Sequence, residues 1–222
     1  MHRSGTSCLT GALERSGVYL GEVKRTGKHN KKGYFEKAEV YKIHDQILGL
    51  NKSSWHQPID NSIIVHPSHS KKLEAIVNEL KIKTPCGLKD PRILLLLGFW
   101  RKLIGEKLQI IGTFRHPMAV AQSLHVRNQF SIEKGFQLWY SYNKILVEEH
   151  KKTSFPLIHF DLSNPKTYRQ KIIRITKSLG LKPNIFKLRF FISKRLDHFQ
   201  HTKIEVPNKC KELYQYLLVN QT

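Results

Sequence analysis

The feature that most constrains the fold is an apolar run, Leu108-Gln109-Ile110-Ile111-Gly112-Thr113-Phe114. A near-continuous apolar run of this length is typical of an inner parallel strand, because both faces of such a strand are covered. Arg115 and His116 follow its carboxyl end, and Pro117 then opens a helical segment at the position where helices favour proline. This strand-to-helix unit predicts an α/β protein.

The same alternation continues along the chain. A second strand is predicted at Phe155–Phe160, with Asp161 at its end, and shorter strands at Cys86–Asp90 and Ile63–Val65. Helices are predicted at Cys8–Glu14, Glu36–Leu48, Ser70–Lys81, Pro91 to about Leu103, Pro117–Leu124, Ile132–Glu149, Pro165–Leu179 and Lys209–Leu218. We therefore expect one domain over residues 1–222, built as three layers with helices on both faces of a central parallel sheet.

In such sheets, ligands bind beyond the carboxyl ends of the strands. The charged residues expected to gather there are Arg3, Lys89, Asp90, Arg115 and Asp161.

The first seven residues, Met1-His2-Arg3-Ser4-Gly5-Thr6-Ser7, form a small-residue loop that runs directly into a helix. Backbone N–H groups, hydroxyls and one guanidinium converge in such a loop, as in an anion cradle at a helix N-terminus. The alternative is that Ser4 or Thr6 merely caps the helix. The loop does not continue into the Gly-Lys-Ser/Thr ending of a nucleoside triphosphatase P-loop, so Arg3 would supply the bidentate contact to a phosphate or sulfate.

A second pair of phosphate donors follows the central strand. Arg115 stands at the strand end, and Ser123 lies eight positions later on the next helix, two turns along the same side. The alternative for this pair is a buried arginine matched to a carboxylate, with Ser123 on the surface.

The composition limits the kinds of partner and the cellular compartment that this protein is expected to have. A formal net charge of +21, spread over the whole chain, favours a polyanionic partner but also fits a lysine-rich solvated surface. The three cysteines are far apart and lack metal-ligand spacing, which favours a reducing compartment. No apolar stretch reaches the roughly 18 residues of a membrane span, and no signal-peptide pattern occurs, so we expect a soluble, cytoplasmic protein without a metal.

Five short motifs, taken together and in order, resemble those of the sulfotransferase family, particularly its bacterial glycan- and small-molecule-modifying branch. They are His2-Arg3-Ser4-Gly5-Thr6-Ser7, Lys31-Lys32-Gly33-Tyr34-Phe35-Glu36, Lys89-Asp90-Pro91-Arg92, Arg115-His116-Pro117 with Ser123, and Phe160-Asp161-Leu162 with Pro165. The similarity extends from Met1 to about Leu181.

The resemblance implies a P-loop NTPase-like fold that binds 3′-phosphoadenosine 5′-phosphosulfate. By its pattern, the loop of Arg3, Ser4, Gly5, Thr6 and Ser7 would hold the 5′-phosphosulfate, with Arg3 at the bridging oxygen. Arg115 and Ser123 would hold the 3′-phosphate, and Arg127, one helical turn after Ser123, would add positive charge there.

The resemblance also implies an acidic general base after the first helix, for which we choose Glu36. Glu22, His29 and His2 remain alternatives, since neutral imidazole also accepts protons at pH 7. The acceptor would be a hydroxyl or amine of a glycan or small molecule. The loops Glu22–Lys32 and Asn51–Ser68 would shape its pocket, and their basic residues favour an acidic acceptor.

Two other functions are alternatives for this sequence. A P-loop-like kinase or phosphotransferase should carry a lysine in the opening loop, and a nucleic-acid-binding protein should carry a recognisable reading motif.

In the sulfotransferase family an apolar strand precedes the arginine-bearing loop, so we also expect that this chain is N-terminally shortened and that about six or seven further apolar residues would supply that strand.

Overall fold

A computed structural model describes residues 1–27, 33–59, 62–193 and 204–222. The expected α/β class is confirmed. The chain divides into two compact units: unit 1 comprises Met1–Ser16 and Ile110–Thr222, and unit 2 comprises Gly17–Gln109.

The described helices are α1 (Thr6–Glu14), α2 (Ala38–Leu50), α3 (Pro67–Leu80), α4 (Leu97–Ile104), α5 (Pro117–Asn128), α6 (Ile132–Lys152), α7 (Pro165–Ser178), α8 (Ile185–Phe191) and α9 (Asn208–Val219). The strands are β1 (Gly112–Phe114) and β2 (Leu157–His159). Two 3₁₀ segments, Pro91–Leu96 and Gly105–Lys107, flank α4.

Unit 1 is built on a short parallel pair, with Gly112 opposite Leu157 and Phe114 opposite His159. The ladder continues for one more bond, from Phe160 N–H to the Phe114 carbonyl (2.7 Å). Helices α5 and α6 approach closely, since a Cβ at Gly135 would lie 2.6 Å from Ala121 Cα. The largest fully buried side chains of this unit are Phe114, Leu124, Leu138, Trp139, Tyr142, Leu157 and Tyr168.

Unit 2 is mainly helical. Its core is formed by the apolar faces of α2 and α3 and by the Pro91–Leu96 segment, with Ile47, Leu48, Leu73, Leu80 and Leu96 fully buried. A parallel bridge between Tyr19 and Cys86 joins the segments that precede and follow these helices.

Several predicted strands are wrong or too long. Cys86–Asp90 contributes only the single bridge at Cys86. Ile63–Val65 has no strand pairing among the described residues; Ile64 is 78% exposed, and Ile63 and Val65 are only partly buried. The predicted strand Leu108–Phe114 is regular only from Gly112, because the preceding residues are partly exposed and no neighbouring strand among the described residues pairs with them.

The helices agree better, because their ends carry local signals. Pro117 stands at the start of α5, and the Ser131 hydroxyl caps α6 by accepting from the Lys134 N–H (3.1 Å). Gly180, with φ of 72°, follows the end of α7 as predicted. Helix α8 was not predicted.

Candidate functional site

The opening loop has an unusual backbone that prepares the start of α1. Arg3 and Gly5 both adopt left-handed φ values, 64° and 81°. A Cβ at Gly5 would lie 2.2 Å from the ring of Phe160, so only glycine fits there. The residue that follows β2 therefore fixes how closely the loop passes the sheet.

Strand β1 also holds this loop. The Thr113 hydroxyl donates to the Ser4 carbonyl (2.9 Å), and both side chains are buried. The Ser4 hydroxyl is itself fully buried and makes no hydrogen bond within the protein. Because buried hydroxyls are normally satisfied, this one is suited to a ligand or a bound water.

The start of α1 has no side-chain cap. Its N-cap is Gly5, so neither Ser4 nor Thr6 performs the capping role that was the alternative for this loop. The first backbone N–H groups of a helix point outward and carry partial positive charge, which suits an anion.

Arg3 reaches from this loop to α5. Its Nε donates to the Ser123 hydroxyl at 2.6 Å, so two residues to which the resemblance gives different parts of the nucleotide are in direct contact. A hydroxyl that accepts one hydrogen bond can still donate its own proton, and a guanidinium has further N–H groups beyond Nε. The contact is therefore compatible with both side chains binding one anionic ligand.

Arg115 directly follows β1, at the strand end where it was predicted, and it is half-buried. Its guanidinium lies 5.4 Å from the centre of the Phe160 ring, and its carbonyl accepts the Trp139 indole N–H (2.8 Å). Arg127 extends along α5 to the Asn128 side chain (2.6 Å). Unit 1 thus contains every residue predicted to bind the nucleotide: Arg3, Ser4, Gly5, Thr6, Ser7, Arg115, Ser123 and Arg127.

Unit 2 contains Glu36, the predicted base. It lies two residues before α2, in an antiparallel bridge with Lys24, and not in the first turn of the helix as expected. The Lys89 ammonium donates to Glu36 Oε1 (2.5 Å) and to the Tyr34 carbonyl (3.1 Å). Both charged side chains are largely buried, at 8% exposure for Lys89 and 16% for Glu36.

Burial lowers the pKa of the Lys89 ammonium, and the Glu36 and Asp90 carboxylates oppose that shift. The pair thus joins two of the predicted motifs, although sequence reasoning gave Lys89 no defined role.

A second ion cluster, buried except for Asp45, adjoins this pair along the chain. Asp90 accepts from His44 Nδ1 (2.7 Å) and from the Arg92 guanidinium (2.9 Å), while Arg92 Nε reaches Asp45 (2.5 Å). Burial alone would raise the pKa of Asp90, but the His44 hydrogen bond and the Arg92 charge hold this pKa well below its usual range. Asp90 and Arg92 therefore fix the Lys-Asp-Pro-Arg segment rather than face solvent.

The alternative bases differ in burial. Glu22 is exposed, and His2 is buried at 9% exposure. His29, like the Lys31-Lys32 part of its motif, lies outside the described residues.

Sequence reasoning missed a cluster at the end of β2. The Tyr214 hydroxyl of α9 contacts His159 Nε2 (2.8 Å), and the His159 ring stacks on Phe114 (5.2 Å between centroids). Burial lowers the pKa of His159 to about 4, with the Asp161 charge opposing, and burial raises the pKa of Tyr214 to about 12. The β2 pattern alone could not signal the distant Tyr214.

Neither a protein-family model, nor a curated protein, nor a solved structure matches this chain. Within the described ranges, no helix is both long and apolar enough to cross a membrane. The same residues contain no group of three or more His, Cys, Asp or Glu side chains placed to hold a metal.

Proposed function

We propose that this protein is a sulfotransferase that takes a sulfuryl group from 3′-phosphoadenosine 5′-phosphosulfate and passes it to a hydroxyl or amine of a glycan or small molecule. The three-layer, P-loop-like arrangement and a cytoplasmic location belong to the same proposal. The observation that carries it is the opening loop, whose left-handed Arg3 and Gly5 lead into an uncapped helix start and whose Arg3 Nε contacts Ser123.

The residues of this loop suit an oxyanion. The buried Ser4 hydroxyl makes no hydrogen bond within the protein, and the first N–H groups of α1 have no side-chain cap. Arg3 adds a charge-assisted donor to this set. Such a set would hold the phosphosulfate, while Arg115, Ser123 and Arg127 would hold the 3′-phosphate.

The bound nucleotide would supply the activated sulfuryl group. The protein would then contribute alignment and electrostatic stabilisation, as in phosphoryl transfer. Arg3 would stabilise the negative charge on the departing nucleotide, and Glu36 would accept the proton of the acceptor. Lys89 would act as a positioning residue, because its ammonium holds one oxygen of Glu36 and is itself fixed by the Tyr34 carbonyl.

The experiment that tests the nucleotide class is thermal unfolding with three ligands: adenosine 3′,5′-bisphosphate, ATP with magnesium, and duplex DNA. A ligand at 100 times its dissociation constant stabilises by about 2.7 kcal/mol, which shifts the unfolding midpoint by several degrees. We expect the bisphosphate to give the largest shift at equal concentration. An equal or larger shift with ATP would favour a kinase, and a shift with DNA alone would favour a nucleic-acid-binding protein.

A further inference from the structure

Helix α8 exposes aromatic side chains to solvent, and these side chains have no role in the proposed sulfuryl transfer. Phe186 is 71% exposed, Phe190 is 68% exposed and Ile185 is 64% exposed. Phe186 and Phe190 lie one helical turn apart, with ring centroids separated by 4.7 Å. Exposed contiguous apolar groups of this kind mark interaction sites.

The opposite face of α8 is firmly held in unit 1. Leu188 and Phe191 are buried, and the Arg15 guanidinium lies 3.8 Å from the centre of the Phe191 ring. Arg169 of α7 donates to the Ile192 carbonyl at the end of α8 (3.0 Å). The helix therefore has two apolar faces, one in the core and one in solvent, so the exposed phenylalanines are displayed by a fixed support.

Positive charge surrounds the exposed face. At 100° per residue, Lys187 lies on one flank of the Phe186–Phe190 ridge and Arg189 on the other, and Lys182 precedes the helix. All three are exposed. The exposed side of α7 adds Lys166, Arg174 and Lys177, and no aspartate or glutamate occurs between Pro165 and Ser193.

We propose that this surface, which comprises Ile185, Phe186 and Phe190 with Lys182, Lys187 and Arg189, docks the protein on an anionic membrane surface. We call it the α8 patch. Phenylalanine side chains that enter the acyl boundary while flanking cations meet acidic headgroups are the pattern of interfacial helices. Long cationic side chains can reach headgroups while their stems remain beside the apolar ridge.

A single-stranded nucleic acid is the competing partner, because it also combines stacking with positive charge. The geometry of the rings favours the membrane. The planes of Phe186 and Phe190 are inclined at 64°, so the two rings form an irregular ridge rather than parallel platforms for successive bases.

The test uses the full chain in flotation with vesicles of phosphatidylcholine alone and of phosphatidylcholine with 30% phosphatidylserine, in 0.1 M salt. We expect binding only to the acidic vesicles. Combined Phe186→Ser and Phe190→Ser substitution should weaken this binding at least tenfold, because burial of a phenylalanine side chain contributes on that order. Combined Lys187→Gln and Arg189→Gln substitution should weaken it roughly 25-fold, at about fivefold for each charge removed near the surface.

The matched control replaces two equally exposed aliphatic residues elsewhere in unit 1, Val126→Ser with Val219→Ser, which are 75% and 81% exposed. This control should bind vesicles like the parent. Equal binding by the phenylalanine variant and the parent would overturn the proposal, because the overall charge of +21 would then be sufficient. A phenylalanine variant that loses affinity for a single-stranded oligonucleotide but keeps vesicle binding would overturn it in favour of nucleic acid.

A second measurement reports insertion directly. Phe186→Trp should show fluorescence quenching by brominated acidic lipids well beyond that of the parent, whose three tryptophans are Trp55, Trp100 and Trp139. Quenching equal to that of the parent would mean that the ridge stays outside the bilayer, and would overturn the proposal.

Discussion

Gly5 determines whether the opening loop can exist in this form. Its φ of 81° is costly for any residue with a Cβ, and the Phe160 ring occupies the space that the Cβ would need. Gly180 has a similar φ of 72°, but nothing lies within 4 Å of its Cβ position. Substitution of Gly180 therefore tests backbone strain alone, whereas substitution of Gly5 tests strain together with steric overlap.

We expect Gly180→Ala to lower the free energy of unfolding by about 1–2 kcal/mol, through backbone strain alone. Gly5→Ala should cost about 1–3 kcal/mol more, as overpacking usually does, and should also weaken adenosine 3′,5′-bisphosphate binding. Urea unfolding and calorimetric titration measure the two effects. Equal destabilisation by both substitutions would show that the ring of Phe160 yields easily to the loop.

A substitution of Arg115 can test recognition of the 3′-phosphate without disturbing the local backbone. Its carbonyl is fixed by Trp139, so replacement of the side chain leaves the backbone anchor intact. Arg115→Ala should weaken adenosine 3′,5′-bisphosphate at least tenfold and the analogue without the 3′-phosphate far less, because a charge-assisted hydrogen bond contributes about 1.5–3 kcal/mol. Arg174→Ala, an exposed arginine on α7, is the control and should change neither affinity. Equal losses for both ligands would assign Arg115 a structural role.

The junction of β2 with α9 should make stability depend on pH. The Thr222 N–H donates to the Leu157 carbonyl (2.9 Å), and Tyr214 contacts His159, so α9 is anchored at both its middle and its end. His159 has a pKa of about 4 in the folded state, compared with about 6.5 when unfolded. Between these two pKa values, His159 is protonated in the unfolded chain but neutral in the folded chain. The free energy of unfolding therefore falls as the pH drops from about 7 to 4.

We expect this histidine to contribute a loss of about 2–3 kcal/mol over that range. His159→Gln keeps an acceptor for the Tyr214 hydroxyl but does not titrate, so its unfolding free energy should fall less steeply with decreasing pH. His125→Gln, at an exposed position on α5, is the control. Parallel pH profiles for His159→Gln and the parent would contradict the assignment.

The helices could be predicted more accurately than the strands, for physical reasons. Helix ends are encoded by local residues such as Pro117 and Ser131, whereas a strand needs a partner elsewhere in the chain. Ile110 and Ile111 have strand composition but lie before the point where β1 meets β2. Helix α8 was not predicted because Phe186 and Phe190 are apolar but face solvent. The sequence of α8 therefore lacks the separate apolar and polar faces that indicate a helix.

The candidate site shows the same difference between features encoded locally and features that depend on residues far apart in the sequence. The opening loop was recognisable because its residues are contiguous in sequence. The partners that shape it, Thr113 and Phe160, come from distant positions and carry no sequence signal for that role. The pairing of Glu36 with Lys89 likewise joins residues far apart in the chain.

The two compact units divide the proposed roles between them. The residues given to the nucleotide belong to unit 1, whereas Glu36 and Lys89 belong to unit 2. If the proposal holds, substitutions in the first group should alter nucleotide affinity, and substitutions of this ion pair should alter turnover. The chain offers a close control for the pair, because Lys37 is also 8% exposed and also bound to a carboxylate, that of Glu79 (3.2 Å).

We expect Glu36→Gln to reduce sulfuryl transfer by about 10²–10⁴, the usual contribution of a general base, while adenosine 3′,5′-bisphosphate affinity stays within about twofold of the parent. Lys89→Met should also reduce transfer, because Glu36 loses the ammonium that fixes its oxygen, and Lys89→Arg should restore part of it by supplying another donor. Transfer is measured from radiolabelled 3′-phosphoadenosine 5′-phosphosulfate to a panel of glycan and phenolic acceptors. Lys37→Met removes an equally buried cation, so it should lower stability without this loss of transfer. If Lys37→Met and Lys89→Met reduce transfer equally, or if Lys89→Arg restores nothing, Lys89 serves the fold of unit 2 and does not position Glu36.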